Sequence, residues 1–224
     1  MSKNLIGARE GANVGDFADN IAWSDHSIKF YVEQARGRDV LDIGCVMHNP
    51  ENYKSQYWIH KALKGVAKTL VGIDLYDEGV QYLRSRGYNI VTADAQNFDL
   101  GKQFDVIVAG DVMEHLENFQ GFIDCCKKHL RPDGVILVST PNPWYWRYII
   151  KAALMPEFRS NPEHTMWFCP RTLRQLFNRH DFDIVSLSFG SRYLRDRLLP
   201  LPGTWKHTTF HAIVRPTTTA PAEA

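Results

Sequence analysis

The chain has 224 residues, a formal charge of +1, 44% hydrophobic and 23% charged residues, the balance of one soluble globular domain with room for a full core. So small a charge excludes recruitment of nucleic acid or anionic membrane by a global field. The four cysteines (Cys45, Cys125, Cys126, Cys169) form neither the CxxC pairs of a zinc site nor a disulfide framework, and no apolar run reaches the length of a signal-peptide core or a membrane span, so a reducing, cytoplasmic location is expected.

In chain order, residues 1 to 20 are rich in Gly, Asn and Asp and are expected to form a loose N-terminal arm. From Ser24 to Arg36 the apolar residues Ile28, Tyr31, Val32 and Ala35 recur at helical spacing, with Ser24 as N-cap and Gly37 as stop. Strand one follows, Asp39 to Ile43. A polar, aromatic stretch then predicts a helix from Tyr53 to Lys64, ended by Gly65. Strand two is TLVGID, a helix spans Glu78 to Arg86, strand three is NIVTAD, and strand four is FDVIVAGD. A helix from Phe119 to Leu130 and an RPDG turn lead into strand five, VILVST. Beyond Pro141 come the aromatic stretch PNPWYWRYIIKAALMPEF, a basic amphipathic helix after Pro170, a strand FDIVSLSFG, an irregular stretch RYLRDRLLPLPGTWK and a last strand within HTTFHAIVRP. The tail, 216–224, is small and polar and is expected to be disordered. Short apolar runs alternating with amphipathic helices are the signature of βαβ units and a parallel sheet buried on both faces.

The most informative stretch is VLDIGCVMHNP, Val40 to Pro50. A buried strand runs through Asp42 into Gly44, where the backbone can approach a ligand that any Cβ would hold off. Asp42, Asp74, Asp94 and Asp111 close successive strands and point to one sheet edge, the edge where open α/β sheets bind ligands. Singly, such an acid is equally at home as a helix N-cap or turn residue; four in succession, with the glycine, point to a ligand. Asp74 is placed to accept two ribose hydroxyls, and Asp94 to accept from the exocyclic amine of an adenine. A nicotinamide-dependent dehydrogenase fits less well, because GxGxxG is absent and Asp42 would crowd a pyrophosphate.

VLDIGC, LVGIDL, ADAQNF, FDVIVAGDVMEHL and LRPDGVILVSTPNP, in this order, resemble the successive motifs of class I S-adenosylmethionine-dependent methyltransferases, over about residues 24 to 190. The resemblance implies one doubly wound α/β domain, 1–224, on a Rossmann-like, seven-stranded, mostly parallel sheet with the last strand antiparallel. It implies S-adenosylmethionine lying over Asp42, Gly44 and Cys45, its ribose on Asp74 beside Leu75 and its adenine by Asp94 and Ala95, with Gly110 and Asp111 completing the cofactor-binding set. The family commonly reads GCGxG; here Val46 and His48 replace the second and third glycines, so a bulkier loop is expected.

Asp111, Glu114 and His115, with the distant His164, form a second constellation. It is similar to the ubiquinone-biosynthesis O-methyltransferases and to metal-using small-RNA 2′-O-methyltransferases. By that resemblance His164, His115 and Glu114 are candidate catalytic residues, and the same three are candidate ligands of a divalent metal such as magnesium; the ligand types do not select one ion. The alternative is that Glu114 and His115 cap a helix and shape the cofactor pocket. Because a hydroxyl needs a base or a metal to become a nucleophile, the expectation is O-methylation of a small molecule, glycan or isoprenoid-linked acceptor. An N- or C-methyltransferase, or a non-catalytic cofactor-binding scaffold, is the alternative. His26, His60, His129, His180, His207 and His211 read as surface or internally satisfied residues, and His48 is of interest for its place in the loop.

Segments 143–168 and 191–206 are the expected substrate or lid segments. Trp144, Tyr145, Trp146 and Tyr148, with Arg147 and Lys151, are suited to stack on a sugar or aromatic ring, to rest on a membrane surface or to pack into the core. The clusters RTLRQLFNRH and RYLRDR are basic, but Asp196 intervenes and the total charge is near zero, so nucleic acid is not the expected partner.

Overall fold

The computed structural model describes residues 25–155, 161–190, 196 and 198–217. The expected arm, the Ser24 cap, residues 218–224 of the tail and parts of both lid segments lie outside the described residues.

In chain order the elements are α1 (Asp25–Ala35), β1 (Asp39–Ile43), α2 (Ile59–Lys64), β2 (Thr69–Asp74), α3 (Asp77–Arg84), β3 (Ile90–Thr92), β4 (Phe104–Gly110), α4 (Phe119–His129), β5 (Leu130–Pro141), α5 (Trp146–Leu154), α6 (Pro170–Asn178), β6 (Phe182–Gly190) and β7 (Thr209–Pro216). Seven strands form one sheet in the order β3-β2-β1-β4-β5-β7-β6. The first five run parallel, and β7 lies antiparallel between β5 and β6. This is the predicted doubly wound architecture. The chain steps outward from β1 to β3 and then returns to β4, so the sheet order reverses between β1 and β4. A ligand crevice opens at such a reversal.

Strand alternation divides the core. Leu41, Ile43, Ile107, Ala109, Ile136 and Val138 face Phe122, Ile123, Leu173 and Phe177 of α4 and α6. Val40, Val106, Val108, Val135 and Leu137 face Tyr31, Ala35, Ile59 and Leu63 of α1 and α2. β1 is buried along its whole length, and each large apolar side chain so enclosed contributes about 1.5–3 kcal/mol. The amino end of the sheet is tied by Arg131, whose guanidinium reaches Asp39 at 2.9 Å and Asp105 at 2.5 Å.

Three local expectations are corrected. The helix expected from Tyr53 to Lys64 is two pieces: a 3-10 turn at Pro50–Lys54, capped by the Asn49 side chain, and α2, which begins only at Ile59. Trp58 separates them because its indole is buried and donates to the Cys45 carbonyl at 2.7 Å. β3 stops at Thr92, leaving Asp94 in a turn where its carboxylate accepts from the Gln96 amide at 2.9 Å. The first tail residue belongs to the sheet: Pro216 ends β7 and pairs with Phe182, and just beyond it the Thr217 amide donates to the Asp181 carbonyl at 2.8 Å.

Candidate active site

The carboxyl ends of β1 and β4 line one hollow, and the end of β2 is tied to the loop beside it through Asp74. Gly44 turns at φ +74°, and an added Cβ would stand 2.8 Å from Val112 Cγ2, so only glycine fits this close approach. The bulkier loop beyond it is held without further glycines. Met47 and His48 both adopt left-handed φ, 57° and 61°, at a cost of roughly 1–2 kcal/mol each. Bonds from Asn49 N and Asn52 Nδ2 to the Met47 carbonyl, 2.7 and 3.0 Å, offset that cost.

The four strand-end acids meet different fates. Asp74 accepts from the amides of Val46 at 2.8 Å and Tyr76 at 3.0 Å, which ties the Gly44 loop to β2. Two amides leave part of its acceptor capacity open, since a carboxylate offers about four lone-pair sites. Leu75 beside it is well exposed, Ala95 is half-buried against the core and Asp94 is engaged by Gln96. Asp42, by contrast, turns inward: it is 4% exposed and takes a 2.9 Å hydrogen bond from His60 Nδ1. Burial raises the Asp42 carboxyl, and His60 pulls it back down. Asp42 still borders the hollow at the carboxyl end of β1, and its bond to His60 follows from strand register. Asp42 pairs with Gly72, and a Cβ on Gly72 would lie 2.8 Å from His60 Cε1, so the missing side chain makes room for the imidazole.

Asp111 also has a left-handed φ, 51°. Its carboxylate accepts from the Ser139 hydroxyl at 2.6 Å while its amide donates to the Ser139 carbonyl at 3.1 Å. Burial pushes its carboxyl up to about 6, against the pull of Ser139. Three residues on, a 3-10 turn at Met113–His115 buries Glu114. Both oxygens of Glu114 are buried, and the Thr140 hydroxyl beside them pulls the carboxyl down only weakly against that burial. Burial, then the Asp111 charge, holds its carboxyl well above the usual range.

His164 reaches this turn from far along the chain. The amides of Thr165 and Met166 donate to the Glu114 carbonyl at 2.9 and 3.3 Å, so the stretch ahead of α6 docks directly on the 3-10 turn. His164 Nε2 then lies 3.9 Å from Glu114 Oε1, and the His115 and His164 rings meet edge to face at 4.8 Å. One ligand atom from each of Glu114, His115 and His164 falls within 4.8 Å of the other two. Burial, with the neighbouring histidines, lowers His164 to about 4 and also depresses His115. His48 closes the group from the loop side, its ring 5.7 Å from that of His115 and its Nδ1 3.2 Å from Glu163. The residues beyond sequence reasoning here are Ser139, Thr165 and His60 as the partner of Asp42; the Ser-Thr end of VILVST and the His-Thr pair of HTMWF were the only signals for the first two.

A protein-family model described as a methyltransferase domain matches residues 22–187. A probable S-adenosylmethionine-dependent methyltransferase of Mycolicibacterium smegmatis is 34% identical over 112 residues, which are 47% of this chain and 39% of that protein. A ubiquinone biosynthesis O-methyltransferase of an Azoarcus species is 24% identical over 162 residues, 68% of this chain and 67% of that one. The chain spans only 31 to 39% of the length of the first four curated relatives it matches. Among solved structures, a Mesorhizobium loti S-adenosylmethionine-dependent methyltransferase aligns over 88% of this chain and 99% of that one, with TM-score 0.60 at 15% identity, a likeness of fold.

Proposed function

We infer the reaction from the premise that the chain belongs to the methyltransferase-domain family: it moves a methyl group from S-adenosylmethionine to a hydroxyl oxygen of a small-molecule, glycan or isoprenoid-linked acceptor. The observation that carries the oxygen assignment is the packing of Glu114, His115 and His164 within 4.8 Å of one another at the carboxyl end of β4. The relatives named for O-methylation support the same reading. An amine or carbon nucleophile has less use for a buried acid beside two imidazoles.

The donor, when bound, brings an activated methyl, so this chain has to position the acceptor and dispose of its proton. The hollow lined by Asp42, Gly44, Cys45, Met47, His60 and Gly110 holds only about 10 Å³, room for one water. The nucleoside therefore lies on the open edge above it, its ribose hydroxyls taken by the remaining lone pairs of Asp74 and its adenine beside Asp94 and Ala95. Gly44 lets the backbone approach, and the Asp111 carboxylate, fixed by Ser139, faces the sulfonium end.

The cluster has two ways to prepare the hydroxyl. In one, His164 Nε2 takes the hydroxyl proton and Glu114, 3.9 Å away, balances the imidazolium. A histidine lowered to about 4 is a weak proton acceptor at neutral pH. In the other, Glu114, His115 and His164 would hold a divalent cation, which would supply Lewis acidity at the acceptor oxygen. The donor set fits: two imidazoles whose charged form burial disfavours and a buried carboxylate are what such an ion requires. The lowered His164 favours this second reading.

The test is calorimetric titration with S-adenosylhomocysteine, followed by a screen of acceptors with labelled cofactor read by product mass. Wild type binds the cofactor product and Asp74→Ala weakens that binding strongly; an unresponsive wild type removes the donor assignment. With an acceptor in hand, a rate indifferent to chelators removes the cation, and full turnover by His164→Ala removes both roles for that residue. Tight cofactor binding with no turnover on any acceptor favours the scaffold alternative.

A further inference from the structure

We propose that His48 is a positioning residue: from a backbone position where glycine would be unstrained, it holds Glu163 and through Glu163 sets the rings of His115 and His164. The inference deepens the methyl-transfer reading and rests on it for its purpose. The starting point is a backbone that a histidine fits poorly. His48 has φ 61°, in the left-handed region that penalises any residue with a Cβ and does not penalise glycine. The bonds that steady this turn, from Asn49 N and Asn52 Nδ2, end on the Met47 carbonyl and use nothing of the His48 side chain.

The side chain instead reaches across the site. Its Nδ1 lies 3.2 Å from Glu163 Oε2, and the two side chains are 62% and 59% exposed. An ion pair so open to water stabilises a fold less than the left-handed backbone destabilises it. Fold stability therefore does not account for a histidine here, and strained backbone kept in this way collects at functional sites.

Glu163 supplies the reason. It is the third residue of a β-turn, with Pro162 pre-setting the second position and the His164 amide closing on the Asn161 carbonyl at 3.3 Å. Its own amide donates to Asn161 Oδ1 at 2.9 Å, and its carbonyl accepts a hydrogen bond from the His115 ring. Glu163 thus touches the cluster twice, through its carbonyl at His115 and through its peptide bond to His164. A ring N–H held by a carbonyl fixes which imidazole nitrogen carries the proton and how the ring is turned. The edge-to-face contact at 4.8 Å passes that orientation on to His164. Beyond His164 the chain is pinned by the amides of Thr165 and Met166 on the Glu114 carbonyl; His48 pins it on the near side. His48 also belongs to the loop whose Val46 amide is held by Asp74 and whose Met47 borders the hollow beside Gly44. The pair therefore joins the donor side of the site to the acceptor side. A misplacement of about 1 Å in such a group can slow a reaction roughly a hundredfold.

The experiment compares His48→Gly, which keeps the left-handed turn and removes the side chain, with His48→Asn, which tolerates the same φ and puts an amide nitrogen where Nδ1 stands. The full chain, isotopically labelled at its histidine ring nitrogens, is read by proton–nitrogen NMR at neutral pH, with the His115 and His164 rings assigned by substitution. Wild type shows a single tautomer at His115. In His48→Gly the signals of both rings move and the single tautomer is lost; in His48→Asn they return to the wild-type pattern. Glu163→Ala reproduces the glycine variant, and combining the two changes does no further damage. The thermal midpoint of His48→Gly stays within about 4 °C of wild type, and its affinity for S-adenosylhomocysteine is unchanged. With an acceptor identified by product mass, His48→Gly lowers kcat at least about tenfold without changing KM for S-adenosylmethionine, and His48→Asn restores most of the loss. Unmoved ring signals or an undiminished kcat in His48→Gly overturn the proposal, as does an asparagine variant as impaired as the glycine one. A glycine variant that loses S-adenosylhomocysteine affinity places His48 at the donor and overturns it too. Failure of wild type to bind S-adenosylhomocysteine removes the donor reading and leaves the comparison of ring signals standing.

Discussion

Truncating Asp42 tests what its buried bond to His60 contributes to the fold. In Asp42→Ala the His60 ring stays in its Gly72 niche and loses the 2.9 Å hydrogen bond to Asp42. Removing one member of a buried charged or hydrogen-bonded pair costs about 3–5 kcal/mol. In Asp42→Asn an amide oxygen still accepts from Nδ1, and the cost should be about 1 kcal/mol. In a domain of this size 1 kcal/mol moves the thermal midpoint by roughly 2–4 °C, so the alanine variant should melt some 6–20 °C lower and the asparagine variant only a few degrees lower. Urea unfolding followed by tryptophan fluorescence measures the difference, and titration with S-adenosylhomocysteine measures the rest. Both variants, where folded, should keep cofactor affinity far better than Asp74→Ala. Equal stability loss in the two variants would refute the hydrogen-bond argument. An asparagine variant of normal stability that no longer bound the cofactor would put Asp42 at the ligand after all.

Further predictions concern charge and the site. Glu114→Gln should leave stability at neutral pH unchanged or raised, because the carboxyl it replaces is held well above its ordinary value by burial. A raised acid binds more protons folded than unfolded, so wild-type stability falls as pH climbs from about 4 through the folded value; the variant should lose that fall in denaturation curves recorded across pH, while methyl transfer drops by orders of magnitude. Asp39 shifts the other way, lowered by the Thr69 hydroxyl and then Arg131. Its contribution is full above about pH 4 and is lost as pH falls through the folded value, so Thr69→Val should lower stability at pH 7 and make the acid limb shallower. An unchanged acid limb would show that the hydroxyl does not set the Asp39 carboxyl.

Much of this fold was legible because burial on both faces leaves apolar runs that only strands of a parallel sheet produce, and because Gly37, Gly44 and Gly87 mark where the chain reverses. YKSQYW, Tyr53 to Trp58, reads as the start of a helix that in fact begins at Ile59. Its aromatic spacing is helical, but the indole of Trp58 is committed to the Cys45 carbonyl, a tertiary demand with no local trace. The inward turn of Asp42 was hidden for a similar reason. It depends on Gly72 being its neighbour in register, and Gly72 reads in sequence as an ordinary small residue within TLVGID. The meeting of Glu114 with His164 came from resemblance alone, since nothing local in DVMEHL or PEHTMWF announces that backbone amides of one will bind a carbonyl of the other.

That docking of Thr165 and Met166 on the Glu114 carbonyl divides the molecule's labour. The residues proposed for the donor lie within 42 to 111, with only Ser139 of β5 reaching back to brace Asp111. The acceptor side arrives on a later stretch, fastened by three hydrogen bonds to one peptide oxygen, two from amides and one from the Thr165 hydroxyl at 3.2 Å. A graft that kept this fastening and exchanged the surrounding residues would therefore change what is methylated without disturbing what donates.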